Sequence, residues 1–192
     1  MSDLLGFQVA GLPLHILVVH AVVVGVPLVA VALVVIAAWP AARRVLWLPT
    51  LIGAVVVLGL TLLAVEAGEW LQARVRETPL IEAHTEQGED VTPWVVALVA
   101  VSAVVGVLAI LERSRRRAAA DPDVLERADG AARSETTPAP PRSAATMALA
   151  IVAIVASAVV GVGAVWTTVR VGEAGSRAVW EGSFSEQPLE DR

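Results

Sequence analysis

The chain has 192 residues, of which 56% are hydrophobic and 17% are charged, and its mean hydropathy is +0.71. Soluble domains are roughly 45–50% apolar and 25% charged, so this composition excludes an ordinary soluble domain. The absence of cysteine excludes disulfides and thiolate metal sites. A net charge of -5, without a basic patch containing aromatic residues, excludes nucleic acid as a partner.

Four apolar stretches are each long enough to cross a bilayer, which takes about 20 residues in a helix. The first has no basic segment before it and no cleavage site after it, so we expect it to be retained in the mature protein. Pro27 and Pro49 lie inside apolar stretches, where neighbouring helices tolerate them. The sequence therefore predicts an all-α fold, a polytopic four-transmembrane-helix bundle formed by residues 1–182, with spans 13–39, 45–65, 93–111 and 146–169.

Arginine distribution predicts the orientation, since basic connections stay in the cytoplasm. All 14 basic residues are Arg, and five of them (Arg74, Arg76, Arg170, Arg177 and Arg192) fall on the side with most carboxylates. We expect a multi-pass protein of a bacterial inner membrane with both termini outside the cytoplasm. The nine predicted cytoplasmic residues are Arg43, Arg44, Arg113, Arg115, Arg116, Arg117, Arg127, Arg133 and Arg142.

The connections between the spans differ in kind. Residues 113–142 begin with arginines and end with prolines, which predicts a partly disordered cytoplasmic loop in which residues 121–123 could cap one short helix. Residues 183–192 are predicted to be a flexible tail. Residues 66–92 are rich in helix formers, so we expect the second and third helices to extend into an outer helical hairpin that turns at Thr78-Pro79.

The three histidines, His15, His20 and His84, all fall in the outer half. His15 and His20 are about 140° apart on one helix, so they cannot point at the same place. An ionisable residue within a span is a functional candidate. The alternative for His20 is a neutral ring bonded to a hydroxyl, such as that of Thr61, or to a backbone carbonyl.

Carboxylates lie near these histidines in the predicted topology. Antiparallel pairing about Thr78-Pro79 would place His84 near a stripe of side chains at the outer end of the second helix. Its first member, Glu66, follows the apolar run directly, so we expect this carboxylate to be partly buried. We therefore expect His15, Glu69, His84 and Glu66 as candidate ligands of a divalent metal, although no HExxH pattern occurs. Arg170 or Arg177 could pair with the same carboxylates or with a lipid headgroup. The stripe consists of Glu66, Glu69, Trp70 and Ala73.

A b-type haem is the other candidate cofactor, with His20 or His15 as its ligand. Four glycines in the spans could supply space for the ring, or could simply allow close helix packing. No second His lies at the depth of His20 on another helix. A single axial His, or a haem shared within a homo-oligomer, therefore stays open. The glycines are Gly25, Gly59, Gly106 and Gly161.

Motifs at the four helix ends resemble the DUF2231 family of bacterial membrane proteins over about residues 10 to 182. This chain has His15-Ile16 where the family often has His-Pro, and Glu69-Trp70 where it often has Asp-Trp. Some family members are fused to Rieske iron-sulfur domains, so the resemblance implies a link to electron transfer. The matching segments are Gly11-Leu12-Pro13-Leu14-His15, Val19-His20, Gly68-Glu69-Trp70, His84-Thr85-Glu86-Gln87-Gly88-Glu89 and 171–180.

Three functions follow from these patterns. The first is a membrane-embedded redox or metal/haem-binding module that uses the outer His and Glu residues, with no catalytic residue predicted. The second is a non-catalytic accessory or assembly subunit of a larger membrane complex, such as a respiratory or redox complex. The third, a proton or solute pathway through His20 and Glu66, is disfavoured because the inner halves of the spans contain few polar side chains.

Overall fold

The computed structural model describes residues 6–119 and 144–184 as one short β-hairpin followed by helices. Four of the helices are long and apolar enough to cross a membrane, which confirms the predicted all-α multi-pass fold. The bounds are β1 Gln8–Val9, β2 Leu12–Pro13, α1 Leu14–Ala38, α2 Pro40–Gln72, α3 Pro79–Glu89, α4 Val91–Ala119 and α5 Ala144–Trp180.

The four long helices form a ring in the order α1, α2, α4, α5. Each packs mainly against its two neighbours in this ring, and α1 has fewer contacts with α4. The end of the bundle that carries His15 and His84 is called the His end below. The opposite end, which carries Arg43, is called the Arg end. Helices α1 and α4 run from the His end to the Arg end, and α2 and α5 return.

Burial in the bundle is that of a protein surrounded by lipid. Valine and leucine side chains such as Val26, Leu33 and Leu98 are fully buried between the helices. On the outside, Leu28 and Val162 are 65% and 70% exposed. Lipid chains are as apolar as leucine, so this outer surface is favourable in a bilayer, and the helices associate through close packing.

Glycines in the spans allow part of that close packing. A Cβ on Gly25 would lie 2.8 Å from Val57, and one on Gly161 would lie 3.3 Å from Ala30. A Cβ on Gly106 would lie 3.0 Å from the ring of Trp47. The packing interpretation is therefore confirmed for these three glycines, because neighbouring side chains of the same chain fill the space beside them.

The junction between α1 and α2 differs from the predicted loop. Trp39 alone separates the two helices, and Pro40 begins α2. Arg43 is therefore a helical residue, and it is buried rather than solvated in a loop. Its Nη1 donates to the Ala37 carbonyl at 3.0 Å, and its Nη2 donates to Glu112 Oε1 at 2.8 Å.

Helix α4 also extends into the range 113–142 that was predicted to be a loop. Residues 113–119 continue α4 as helix, so Arg113 to Arg117 lie on a helix and not in a loop. Residues 120–143, with the predicted capping segment at 121–123, lie outside the described residues. So do residues 185–192 of the predicted tail, whereas Ser183 and Phe184 are described as a turn and a bend.

The connection at the His end contains the predicted stop and restart. Helix α2 ends at Gln72 and α3 begins at Pro79, with Thr78 Oγ1 accepting from the Ile81 amide at 3.3 Å. This turn confirms the prediction for Thr78-Pro79. However, α3 packs mainly against α5 and only slightly against α2, so the expected pairing of the two hairpin arms is wrong.

The candidate site at the His end

His15 lies in the first turn of α1 and contacts α2. Its Nδ1 is 2.8 Å from the carbonyl oxygen of Ala64. The ring lies against Gly68, where a Cβ would come within 3.0 Å of Nδ1. A carbonyl can only accept a hydrogen bond, so Nδ1 carries a proton, and Nε2 is the ring nitrogen left for another partner. Gly68 is therefore required for the ring to reach this carbonyl.

His84 makes the same arrangement between α3 and α5. Its Nδ1 is 3.2 Å from the carbonyl oxygen of Val171. A Cβ on Gly175 would lie 2.9 Å from the Cε1 atom of His84. Here too the proton is on Nδ1 and the lone pair is on Nε2. In both cases the accepting carbonyl belongs to the residue four positions before the glycine.

The two arrangements correspond to two copies of one sequence pattern. Glu-Ala-Gly occurs at 66–68 on α2 and again at 173–175 on α5. In each copy, the residue two positions before the Glu supplies the carbonyl and the Gly supplies the space for the ring. A His-bearing helical arm precedes each copy: α1 before α2, and α3 with α4 before α5. The bundle therefore consists of two similar hairpins.

Gly68 and Gly175 were not predicted as contacts of the histidines. The repeated Glu-Ala-Gly triplet is the sequence signal that marks both glycines.

The two histidines meet at the centre of the His end. Their ring centroids are 6.2 Å apart, and the ring planes are inclined at 78°. Both side chains are half-buried. His15 and His84, called the His pair below, thus come from different hairpins and lie side by side.

The electrostatics at His84 favour the neutral imidazole of this residue. His84 lies on α3, a polar helix that precedes the apolar stretch of α4. Burial lowers the pKa of His84 below its usual value of 6.5, and a positive charge on His15 lowers it further. The hydrogen bond to the Val171 carbonyl opposes these two effects in part. His84 is therefore neutral at pH 7, with the Nε2 lone pair available.

The carboxylates of the predicted stripe point elsewhere. Glu66 and Glu69 are exposed. At about 100° per residue, they lie roughly 180° and 120° from the face of α2 that carries Ala64 and Gly68. The expected partial burial of Glu66 is therefore wrong. Within residues 6–119 and 144–184, no group of three His, Asp or Glu side chains is arranged to hold a metal ion.

Trp70 and Arg177 also have partners other than the carboxylates of this stripe. Trp70 contacts Phe7, with ring centroids 6.2 Å apart, and the Arg74 guanidinium lies 4.0 Å above the Trp70 ring. Arg177 forms its ion pair with Glu173 on its own helix, at 2.6 Å, and not with Glu66 or Glu69. On the outer face of α2, Trp70 is thus in contact with Phe7 and Arg74, whereas Glu66 and Glu69 stay exposed.

His20 does not join the His pair. It is exposed on the surface of α1, and its Nδ1 donates to the carbonyl of Ile16 one turn earlier. Thr61 donates its hydroxyl to the Val57 carbonyl instead. Of the two alternatives for His20, the backbone carbonyl is therefore the partner.

A haem does not fit beside His20 within the described bundle. Gly25, Gly106 and Gly161 could have lined a slot for it, but side chains of neighbouring helices occupy the space beside each of them. His20 also faces outward, away from the fully buried core. A haem at His20 would have to lie outside the bundle, between copies of the chain.

Comparisons with protein-family models, curated proteins and solved structures give no match to this chain. The geometry of the His pair is therefore the feature that indicates a function.

Proposed function

We propose that the protein is a membrane-embedded metal-binding module of a redox system, and that His15 and His84 bind the metal ion through their Nε2 atoms. One observation carries this proposal: both Nδ1 atoms are held by backbone carbonyls, at 2.8 Å and 3.2 Å, so that the Nε2 atom of each ring is left for a ligand, and the two rings lie side by side. A structural role needs only the first nitrogen of each ring. The second is left for a ligand.

Histidines that bind metals show this arrangement. The ring nitrogen that does not bind the metal usually donates to a carbonyl or carboxylate, which fixes the tautomer and the orientation of the ring. Binding also requires an unprotonated imidazole. The lowered pKa of His84 meets this requirement at neutral pH.

The separation of the rings is compatible with one shared ion. With metal–nitrogen distances of about 2.0–2.1 Å, two imidazoles on one ion have centroids about 5 Å apart at a tetrahedral angle and about 6.4 Å apart when opposite each other. The observed 6.2 Å lies within this range. Because Glu66 and Glu69 point away, water or a partner molecule would complete the coordination.

The chemistry of the ligands restricts the ion. Imidazole suits copper, zinc, iron and nickel, whereas magnesium and calcium prefer oxygen ligands. A bound copper or iron ion would supply one-electron chemistry. The chain itself supplies two oriented imidazoles, and the glycines Gly68 and Gly175 allow those rings to lie against α2 and α5.

The orientation of the module follows from the arginine distribution. Arg44, Arg113, Arg115, Arg116 and Arg117 all lie towards the Arg end, which we place on the cytoplasmic side of a bacterial inner membrane. The His end then faces outward, with both termini. The resemblance to the DUF2231 family supports this proposal, since the motifs that carry it include both members of the His pair and both contacting glycines.

Metal titration of the purified protein tests the proposal. The full chain in detergent is stripped with chelator, loaded separately with copper and zinc, passed over a desalting column and measured by elemental analysis. We expect one ion per chain for the unaltered protein and none for His15→Ala or His84→Ala. His20→Ala is the matched control and should retain the ion. Loss of metal from the control, or no retention by the unaltered protein, would overturn the proposal.

The second candidate, an accessory subunit of a larger membrane complex, is favoured by one observation. His20 exposes a polar ring on the apolar surface of α1, where a protein neighbour covers it better than lipid does.

Substitutions at Gly106 or Gly161 cannot test this candidate, because side chains of the same chain fill the space beside both glycines. Gly59 is exposed and has nothing within 4 Å of an added Cβ, so Gly59→Leu tests the outer surface without disturbing the core. Loss of a co-purified partner or of a homo-oligomer in this variant would support the accessory role.

A further inference from the structure

A groove of about 340 Å³ lies between α2 and α4 at the Arg end, on the far side of the bundle from the His pair. Four arginines line it: Arg44 from α2, and Arg113, Arg116 and Arg117 from α4. Trp47 and Ile110 supply an apolar wall. The groove therefore combines a cluster of positive charges with a surface suited to hydrocarbon.

Helix geometry explains why these residues share one groove. On α4, residues 109, 113, 116 and 117 follow the spacing that places side chains on one face of a helix. Arg115 lies about 160° from Arg113 and about 100° from Arg116, and it is not part of the groove. On α2, Arg44 and Trp47 are three residues apart and face α4 together.

The positive charge of the groove is not neutralised by the described residues. Its one carboxylate, Glu112, is bound to the buried Arg43 at 2.8 Å. Among residues 6–119 and 144–184, none forms an ion pair with Arg44, Arg113, Arg116 or Arg117. At the His end, by contrast, the groove lined by Arg170 and Arg177 contains Glu173, which pairs with Arg177. The groove at the Arg end carries a net charge that an anion would balance.

We propose that this groove binds an anionic phospholipid, with the phosphate held by the four arginines and the acyl chains against Trp47 and Ile110. Charge complementarity indicates an anion, and guanidinium groups bind phosphate oxygens well. The apolar wall and the position at the end of a membrane-spanning bundle indicate a lipid as its source. Basic pockets between transmembrane helices bind lipid headgroups in this way. This site is independent of the metal ion proposed for the His pair.

Native mass spectrometry of the full chain in detergent tests the proposal. Phosphatidylglycerol, phosphatidylcholine and inorganic phosphate are titrated separately. We expect one phosphatidylglycerol molecule to bind at least tenfold more tightly than phosphatidylcholine. Equal binding of the two lipids would overturn the proposal. Inorganic phosphate that binds as tightly as phosphatidylglycerol, and displaces it, would also overturn it, because the ligand would then be free phosphate.

Two neighbouring arginines provide the matched variants. Arg116→Gln should weaken phosphatidylglycerol binding about fivefold, and Arg113→Gln with Arg116→Gln should weaken it further. Arg115→Gln removes the same charge from the same helix but lies outside the groove, so binding should stay within twofold. All three positions are exposed, and retention on a sizing column checks that the variants fold. An equal loss in Arg115→Gln and Arg116→Gln would mean that general charge alone attracts the lipid, which contradicts a built site.

Discussion

The two ends of the bundle each hold polar side chains between helices, but they hold them in different ways. At the Arg end, Arg43 is a buried permanent charge whose partner is the carboxylate of Glu112. At the His end, two half-buried imidazole rings are bonded to backbone carbonyls that already lie in helices. Removing Arg43 leaves a charge without its counterion, whereas removing a histidine leaves a carbonyl that still accepts its helical hydrogen bond. The Arg43 contact is therefore expected to serve stability, and the His pair to serve binding.

The largest expected effect is on stability at the Arg end. Arg43→Gln should lower the free energy of unfolding by about 3 kcal/mol, because it leaves Glu112 partly buried and unpaired. Unfolding in mixed micelles of increasing SDS fraction measures this change.

Arg44→Gln is the control for Arg43→Gln, since it removes the same charge from the next, exposed position. Its effect on stability should be within about 0.5 kcal/mol. Equal destabilisation by the two variants would mean that the Arg43–Glu112 pair has no special role in stability.

The next effect separates binding from stability at the His end. Gly175→Ala would place a Cβ 2.9 Å from His84 Cε1, so the ring must shift away from the Val171 carbonyl. We expect metal affinity to fall roughly tenfold, as for the loss of other contacts that orient a ligand. Competition with a coloured chelator measures the affinity.

Gly172→Ala is the matched control for Gly175→Ala, because it lies on the same helix with nothing within 4 Å of the added Cβ. It should leave metal affinity unchanged and stabilise the helix by up to about 1 kcal/mol. If both variants lowered affinity alike, the contact between Gly175 and His84 would not orient the ring.

The sequence was sufficient to predict the four spans and the turn between α2 and α3. Lipid requires long apolar helices, so hydropathy predicted the four spans, and a Thr-Pro step predicted the turn before α3. The position of α3 was not predictable in the same way, because nothing in residues 79–89 indicates whether they pack on α2 or on α5. The packing of α3 on α5 places His84 beside His15 and away from Glu66 and Glu69.

The direction of a side chain around its helix was the other source of error. Glu66 and Glu69 are only two residues and one residue from Gly68, but on a helix that offset turns a side chain from the bundle interior to its exterior. Arg43 was placed in a loop because hydropathy does not show that Trp39 alone joins α1 to α2. The repeated Glu-Ala-Gly triplet was visible in the sequence, and it marks both contacts of the His pair.

The smallest expected effect is that of pH on the His end. The pKa of His84 is lower in the folded protein than its usual value of 6.5, so the unfolded chain takes up a proton first as the pH falls. Stability from this group is fully present above about pH 6.5 and is lost as the pH falls below it. Unfolding measured between pH 5 and pH 8 should show this decline, and His84→Gln should flatten it. A decline of unchanged size in His84→Gln would assign the effect to another group.

X-ray absorption of the metal-loaded protein tests the central claim, that two histidines from different hairpins share one ligand. We expect scattering from two imidazoles in the unaltered chain, from at most one in His84→Ala, and from two in His20→Ala. A spectrum without imidazole scattering, or a count of two that His84→Ala leaves unchanged, would contradict shared binding by the His pair.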